Sequence, residues 1–549
     1  MLGLIERAIA VTALTGALLI FGTKVGIGAD GHKGLVPQFQ TSDRCIACHN
    51  GLFTSSGEDV SIGFDWRASM MANSSRDPYW QASVRRESLD HPESKAIVED
   101  TCSICHMPIV RYEAKLHGGR GQVFSHLPFE AGRKEGRQAE DGVTCSVCHQ
   151  ISKERLGTNE SFTGGFAVER PSADDNRPEY GPFQIEIGQT RIMRSSSEGF
   201  RPTQGDHIRQ SEMCATCHTL ITETLGPEGK GLGRFPEQVP YQEWLHSDYK
   251  NKQSCQACHM PAVNEDVAIT SVFGAPREGV LRHLFVAANF FMLRMLNRYR
   301  DELRVAALPQ ELTAASDRTV RFLESQAARI SIEQARKVGG RLEADVSVEN
   351  LGGHKLPTAY PSRRAWIHLV VRDRSGRRVF ESGAPNADGS IEGNDNDVDP
   401  ARFEPHYTEI RTSDQVQIYE SILGDPNGRV TTGLVSTARY LKDNRLLPHG
   451  FDKHTAEPDV AVHGGALEDP DFNDAGDHIT YSVALADTDG PFEVEAELLY
   501  QPIGYRWAAN LKAYGNAMEP RRFSAYYDSM GRSATATLAH ATSVASDRR

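Results

Sequence analysis

The sequence predicts an α+β protein in which a mainly helical and irregular half is followed by a half that resembles a β-sandwich. All cysteines lie between residues 45 and 259, among Gly- and Pro-rich stretches with few long periodic segments. From about Ile330 the pattern changes to alternating apolar and polar residues, which is typical of strands with one buried face. These two observations together indicate the α+β class.

Five Cys-x-x-Cys-His motifs account for all ten cysteines of the chain. Two thiols three positions apart lie on one side of a helical turn, where both can form thioethers to the vinyl groups of one haem. The histidine that follows each pair is placed to bind the iron. We therefore predict five covalently bound haems c. The thioether positions are Cys45, Cys48, Cys102, Cys105, Cys145, Cys148, Cys214, Cys217, Cys255 and Cys258, and the proximal iron ligands are His49, His106, His149, His218 and His259.

Other chemistries explain these motifs poorly. A thioredoxin-like protein needs one Cys-x-x-Cys, and the histidine has no part in it. Structural zinc sites pair two such motifs, whereas this chain has an odd number of them. Disulfides within each motif would close very small loops and leave the histidines unexplained.

The length of 549 residues exceeds a single ordinary core and predicts several domains. We expect a signal peptide at 1–29, a pentahaem domain at 30–300, a helical linker at 301–328, and a β-rich domain with a helical tail at 329–549. The apolar run from Ala8 to Phe21 is short for a membrane span, which favours export with cleavage over an uncleaved anchor. Both alternatives put the body of the protein in the periplasm or another extracytoplasmic compartment.

Helical spacing of apolar residues predicts a helix over Leu281–Arg300, and a second helix is expected over Pro309–Ala327 with proline in its first turn. In the β-rich domain, strands are expected within Leu342–Val348, Ala365–Val371 and Phe492–Leu498. Turn signals at 373–376 and 487–490 separate such runs.

Each motif supplies one of two axial ligands, and the second ligand decides the function of the haem. A second His or a Met gives an electron carrier, whereas an open position gives a place for substrate. Histidines outside the motifs outnumber the vacant positions and suffice to close every site. The distal candidates are His283, His246, His207, His117 and His354, with His126, His91, Met70 and Met71 as weaker alternatives.

His354 follows two glycines in the β-rich domain, within the run Asn350–Thr358. Because glycine lets the backbone approach a bulky group, we expect this loop to reach over and cap a haem. The two domains would then be locked together.

The net charge of −13 is spread as mixed signs, which argues against nucleic acid. It fits attraction of basic redox partners and, equally well, a charge that serves solubility alone. The run Asn394–Asp399 offers clustered oxygens for calcium, but it lacks the Gly and the closing Glu of an EF-hand loop. A solvated acidic loop is the favoured interpretation of this run.

Four features within residues 40–290 are similar to multihaem cytochromes c of the cytochrome c554 type. They are Trp66–Asn73, Asp141–Gln150, the Cys-x-x-Cys-His-Met-Pro sites ending at Pro108 and Pro261, and His283 with Asn289. This resemblance implies electron transfer through closely packed haem pairs. The run Gly353–Thr358 resembles extensions on larger multihaem cytochromes.

Pentahaem nitrite reductases resemble the chain in haem number and compartment. That family marks its catalytic haem with Lys in place of the motif His, whereas all five motifs here end in His. Hydroxylamine oxidoreductases carry more haems than this chain can attach.

The sequence thus favours an electron-transfer cytochrome of a respiratory or other extracytoplasmic redox chain, with protein partners as electron donor and acceptor. The alternative is a reductase or oxidase of a small nitrogen or sulfur compound at one five-coordinate haem, with Arg111, Tyr112 and His126 as the nearest candidates. A further alternative is a subunit of a larger cytochrome assembly, in which the β-rich domain is the docking module.

Overall fold

The computed structural model describes residues 37–130, 132–170, 176–485 and 490–545. The segment 1–29, expected to be a signal peptide or anchor, lies outside the described residues, as does most of the turn expected at 487–490. From Pro37 onward the chain forms one compact unit. No helix within the described residues is both long and apolar enough to cross a bilayer.

Short helices joined by loops make up the first part of the chain, which we call the motif half. Its helices are α1 (Ser42–Ile46), α2 (Ile62–Arg67), α3 (Pro78–Asp90), α4 (Lys95–His106), α5 (Pro108–Leu116), α6 (Lys134–Glu140), α7 (Cys145–Gln150), α8 (Ile187–Ser196), α9 (Ser211–His218), α10 (Pro240–Leu245), α11 (Cys255–His259) and α12 (Phe290–Arg298). Three two-stranded ladders lie among them, β1 (Arg177–Gly181) with β2 (Phe200–Gln204), β3 (Leu220–Leu225) with β4 (Gly231–Gln238), and β5 (Val267–Ala268) with β6 (Pro276–Arg277).

The helix expected over Leu281–Arg300 begins nine residues later, at Phe290. The Asn289 side chain accepts a hydrogen bond from the Met292 backbone N–H and caps the helix there. Upstream, Leu281 bridges to Ala262 and Phe285 has a φ of 46°, so this stretch cannot be helical. His283 therefore lies on a loop before the helix. The second expected helix is confirmed as α13 (Pro309–Gln326), with Pro309 in its first turn.

The second part of the chain, which we call the β half, contains two sheets within its described residues. Its elements are β7 (Ala328–Val338), β8 (Arg341–Asn350), β9 (Arg364–Arg372), β10 (Arg378–Ser382), α14 (Asp395–Val398), β11 (Glu409–Ile410), β12 (Ile418–Gly424), β13 (Val430–Thr431), β14 (Arg439–Asp443), β15 (Gly476–Ala484), β16 (Phe492–Gln501), α15 (Tyr505–Leu511), α16 (Met518–Met530) and β17 (Ala536–Ala545). All three expected strands are confirmed, as parts of β8, β9 and β16.

One sheet follows the order β13-β12-β9-β16-β17, with β10 on β9 and β14 on β12, and the other follows β11-β15-β8-β7. Alternate residues of β8, β9 and β16 enter one shared hydrophobic core, among them Val346, Leu369 and Val494. The inner faces of the two sheets therefore pack as in a sandwich. The α+β class predicted from the sequence is confirmed.

The expectation of a helical tail is only partly right, because α15 and α16 are followed by the strand β17. This strand pairs antiparallel with β16 along its length. Its Ala- and Thr-rich sequence carries little strand signal of its own. Pairing with β16 satisfies its backbone hydrogen bonds, and this tertiary context overrides the weak propensity.

The two halves share a core. Helix α12 is almost wholly buried, and the rings of Phe290 and Phe291 contact Tyr500 and Tyr527 of the β half at centroid distances of 6.3 and 5.6 Å. An ion pair between Arg85 of α3 and Glu519 of α16, 2.8 Å long, adds to this junction.

Candidate functional site

A single cavity of about 1510 Å³ is lined by all ten cysteines and all five motif histidines. This volume is on the order of ten times that of an engineered cavity of roughly 150 Å³, which already holds a small aromatic ligand. None of the ten cysteines, all of which are described, is in a disulfide. The largely apolar cavity therefore fits several large planar groups, with a thiol pair and an imidazole available to each.

Helix α8 illustrates how the chain lines this space. Gln189, Ile192, Met193 and Ser196, at spacings of three and four, put one face of the helix on the cavity. No residue of α8 is buried by protein. Its inner face is thus available to pack against a bound cofactor.

The motif histidines are held by backbone carbonyls in a way that suits metal binding. The Nδ1 atoms hydrogen-bond to carbonyl oxygens in four of the five, from His49 to Ile269 (2.6 Å), His106 to Ser74 (2.9 Å), His149 to Tyr180 (2.6 Å) and His259 to Val286 (2.5 Å). With the proton on Nδ1, the lone pair of Nε2 is free for a metal. The carbonyl also fixes the orientation of each ring.

Burial keeps these imidazoles neutral. It lowers the pKa of His106 and of His259 to about 4, because the charged form loses its hydration. Burial likewise lowers the pKa of His49, His149 and His218. The neutral ring is the form that binds iron.

Two motif histidines face a second histidine. The rings of His149 and His283 have centroids 6.3 Å apart and planes within 18° of each other. For His259 and His354 the values are 6.2 Å and 7°. Since a metal–imidazole bond is about 2.0–2.1 Å long, two imidazoles on opposite sides of one metal have centres about 6 Å apart. Both pairs fit this spacing.

His354 comes from the loop between β8 and β9 and crosses from the β half to the cavity. A Cβ at Gly353 would lie 3.3 Å from Tyr249 and 3.4 Å from Trp244 of the motif half. The Tyr249 hydroxyl donates to the Leu351 carbonyl at 2.8 Å. The glycines thus allow the close approach that the sequence predicted for this loop.

The structure does not bring the other distal candidates to the cavity. His207 is buried, but its Nε2 is bonded to the Ile151 carbonyl at 2.9 Å. His246 packs on Phe451 with ring centroids 5.5 Å apart, and His117 is exposed beyond α5. Closeness to a motif along the chain does not fix the direction in which a side chain points.

Among the described residues, His283 and His354 are the two non-motif histidines that line the cavity. The expectation that spare histidines close every site stays a prediction, and two of the five motifs have a histidine candidate on the cavity. Methionines also line the cavity, namely Met70, Met71, Met193, Met213 and Met260. Methionine sulfur is a known axial ligand of haem iron, so these side chains are further candidates.

Arg111, Tyr112 and His126, the residues proposed from the sequence for a substrate pocket, do not line the cavity. Arg111 instead pairs with Asp100 at 3.2 Å. Sequence reasoning used only their position after the second motif, and position carries no information on packing.

A polar group that the sequence reasoning missed lines the cavity beside the fourth motif. Its members are Tyr79, Tyr360, Tyr500 and Arg363. Burial is the largest cause that lowers the pKa of His218, and the positive charge of Arg363 is the second. The hydroxyl of Tyr500 is buried and has no hydrogen-bond partner within the described part of the chain. No local signal in the sequence marks this group, because its members come from α3, β16 and the segment that precedes β9.

Contacts between thiols give the spatial order of the motifs. The thiols of three cysteine pairs lie close enough to influence each other's pKa, namely Cys45 with Cys145, Cys105 with Cys217, and Cys214 with Cys255. The first motif therefore adjoins the third, and the fourth adjoins both the second and the fifth. The charge of Cys217 also acts on Cys148, which links the third motif to the fourth. The five motifs form one continuous cluster with the fourth at its branch point.

The run Asn394–Asp399 does not form a calcium loop. Both carboxylate oxygens of Asp397 accept from Arg364, at 2.8 and 3.0 Å, and Asp395 pairs with Arg402. Asn394 caps the short helix α14 by accepting from the Asn396 backbone N–H. The oxygens expected to bind calcium are thus occupied by arginines and backbone.

His406, Asp469 and Asp477 form a buried cluster whose potential ligand atoms lie within 4.8 Å of one another. The amide groups of Gln417 and Asn444 donate to His406 Nδ1 at 3.0 and 3.1 Å. The proton of the neutral ring is therefore on Nε2, which donates to Asp469 at 3.0 Å. A metal on Nε2 would have to displace this proton, so the cluster is a hydrogen-bonded core and not a metal centre.

No protein-family model matches the sequence, and a search of curated proteins finds no match. Among solved structures, the chain is similar to a penta-heme cytochrome c552 from Thermochromatium tepidum. The TM-score is 0.51 at 15% sequence identity, over 92% of this chain and 99% of that chain. At this identity the likeness concerns the fold. The chain therefore has the fold of a multihaem cytochrome c.

Proposed function

We propose that the protein is an electron-transfer cytochrome that holds five haems c in the common cavity. The observation that carries this proposal is that one cavity is lined by every motif cysteine and every motif histidine. Held there by the cysteine pairs and motif histidines, each haem would supply an iron that can take up and release one electron, at a potential set by axial ligands, hydrogen bonding and burial.

The chain's own groups have distinct roles in this proposal. Each cysteine pair would anchor one haem through thioethers, and the motif histidine would bind through Nε2. In His49, His106, His149 and His259 a backbone carbonyl fixes the Nδ1 proton. We assign His283 as the distal ligand opposite His149, and His354 as the distal ligand opposite His259, on the ring geometry of each pair. The second histidine closes these two sites to substrate.

The continuous contact between motifs supports a relay. From the first motif a path leads through the third to the fourth, where it branches to the second and the fifth. Electrons entering at the first motif would reach two exits. The number of haems, five, rests on the five motifs.

A second function, reduction or oxidation of a small oxyanion, is favoured by the polar group beside the fourth motif. The three tyrosines and Arg363 line the same cavity as His218, the Arg363 charge acts on His218, and the rings of His283 and His354 pair with other motif histidines. Guanidinium and phenol groups are donors suited to an anion. The propionates of a haem are also anions and could bind Arg363 in the same way. A test must therefore distinguish a small oxyanion from a haem propionate at this position.

The test is spectroscopic. EPR of the oxidised, haem-loaded protein should show low-spin signals, and the pyridine haemochrome assay should give five haems per chain. A stoichiometric high-spin signal that nitrite or cyanide perturbs would contradict a pure carrier and support the oxyanion function. A high-spin signal that these anions leave unchanged, together with an altered spectrum in Arg363→Gln, would assign Arg363 to a propionate.

We further propose an extracytoplasmic location, with redox proteins as donor and acceptor and no nucleic-acid partner. The net charge of −13 suits a basic partner, and haem c attachment requires export. Cell fractionation tests the location and, by washing with salt or detergent, separates a cleaved protein from an anchored one. Native mass of the purified protein tests membership of a larger assembly.

A further inference from the structure

Four charged side chains form a buried cluster at the junction of the two halves, next to His354. Glu243 belongs to α10 of the motif half, whereas Lys355, Asp443 and Arg445 belong to the β half. None is more than 4% exposed. The inference below rests on the proposed function, since it concerns His354 as an iron ligand.

Close contacts join the four groups into one network. Arg445 contacts Glu243 at 2.9 Å and Asp443 at 2.8 Å through separate guanidinium nitrogens. The Lys355 ammonium contacts Asp443 at 2.8 Å. Two positive and two negative charges balance, which is the condition for keeping charges away from water. The two cations hold the pKa of Asp443 well below its ordinary value.

Glu243 also holds the backbone of the loop that presents His354. One of its oxygens accepts from the Lys355 backbone N–H at 3.1 Å and from the Thr358 hydroxyl at 2.5 Å. The loop is thus fastened at two points directly after the histidine. The other carboxylate oxygen receives Arg445.

The orientation of the His354 ring depends on the same peptide. Its Nδ1 hydrogen-bonds to the Lys355 carbonyl at 3.0 Å, and the Asn350 side chain donates to the His354 carbonyl at 2.8 Å. A ligand that arrives from another part of the fold must be held to within a few tenths of an ångström, about 0.5 Å in designed sites. A rigid connection across the junction supplies this precision.

We propose that Glu243 is the positioning residue for His354, and that the buried charge cluster makes the axial site of the fifth motif depend on docking of the two halves. Movement of the β half away from α10 would withdraw His354 and open that site. Glu243 acts through the Lys355–Thr358 loop and contacts no iron itself.

Variants of Glu243 in the haem-loaded full chain test this role. Glu243→Ala removes both fastening points, and we expect one of the five haems to change from low-spin to high-spin or to shift its midpoint potential. Glu243→Gln keeps an acceptor for Lys355 and Thr358 and should restore the low-spin signal at least in part. Glu519→Ala is the control, because Glu519 forms the separate ion pair with Arg85 at the same junction. It should lower the melting temperature and leave all haem signals unchanged.

His354→Ala separates this inference from the proposed function. Unchanged spectra in His354→Ala would remove His354 as a ligand, whereas loss of one low-spin haem would support it. If that loss occurs and Glu243→Ala still shows every low-spin signal and potential of the parent, the positioning role is overturned. Should Glu243→Ala fail to fold, Thr358→Val decides, because it removes one of the two fastening points and leaves Glu243 in place. A shifted potential or a new high-spin signal in Thr358→Val supports the role, and parent-like spectra and potentials overturn it.

Discussion

Replacing Asp477 with asparagine should change the pH dependence of stability by an amount that follows from the structure. Asp477 lies on β15 and is 0% exposed. One of its oxygens accepts from the Tyr419 hydroxyl at 2.7 Å and from Gln417 at 3.1 Å. The other oxygen, Oδ1, has no hydrogen-bond partner within the described chain. Burial and, less strongly, the nearby Asp469 charge raise the pKa of Asp477 to about 7, from an ordinary value of 3.8.

The sign of the effect follows from proton binding. Between pH 3.8 and 7 the folded protein keeps a proton on Asp477 that the unfolded chain releases. The stability that this carboxyl contributes is therefore complete below pH 3.8 and is lost as pH rises through 7. Asparagine binds no proton in either state, so the variant lacks this loss. Titration of His406, whose pKa burial lowers to about 4, is shared by both proteins and cancels in the difference.

The free energy of unfolding of Asp477→Asn, relative to the parent, should rise by about 1.4 kcal/mol per pH unit between pH 4 and 7 and level off above 7. From pH 5 to 8 the increase is about 3 kcal/mol as an upper bound. In the variant, the amide N–H₂ group at position 477 lies near His406 Nε2 and lowers the free energy of unfolding by an amount that does not change with pH. The prediction therefore concerns the slope of the free-energy difference against pH and not its absolute value.

Urea unfolding followed by far-ultraviolet circular dichroism at pH 5, 6, 7 and 8 measures this slope. A difference that stays constant over this range would refute the reasoning, and the exposed Asp317→Asn is the control that should show no slope.

Three further outcomes are expected. His283→Ala should convert one low-spin haem to high-spin by EPR, because His283 faces His149 at 6.3 Å, and an unchanged spectrum would remove it from the ligand set. Cys102→Ser combined with Cys105→Ser should lower the mass of the mature protein by one haem, and an unchanged haem content would contradict thioether attachment at this motif. Arg364→Met should cost about 3–5 kcal/mol of unfolding free energy, because it leaves the buried Asp397 carboxylate without its partner at 2.8 Å. The urea midpoint measures this cost, and the exposed Arg374→Met, expected to stay within about 0.5 kcal/mol of the parent, is its control.

Local patterns predicted the elements that are stabilised locally. Alternation in Leu342–Val348 and Phe492–Leu498 identified β8 and β16, because such strands bury one face in the sandwich core. The helix expected from Leu281 was placed too early. Apolar residues at helical spacing also occur in the segment before Asn289, but the Asn289 cap sets the start of the helix at Phe290. The strand β17 was missed because its Ala- and Thr-rich residues become a strand only when paired with β16.

The same division applies to the candidate site. The thiols and the histidine of each motif are neighbours on about one helical turn, so the sequence by itself determined the five groups to which we propose that haem attaches, and the proximal histidine proposed for each. The distal ligands that we propose come from remote segments. Only the tertiary structure decided that the ring of His283 lies opposite that of His149 and the ring of His354 opposite that of His259. It also decided that His207, His246 and His117 point elsewhere. The physical reason is that axial ligation depends on ring positions within tenths of an ångström, and these are set by packing, backbone hydrogen bonds and the buried charges around Glu243, not by spacing along the chain.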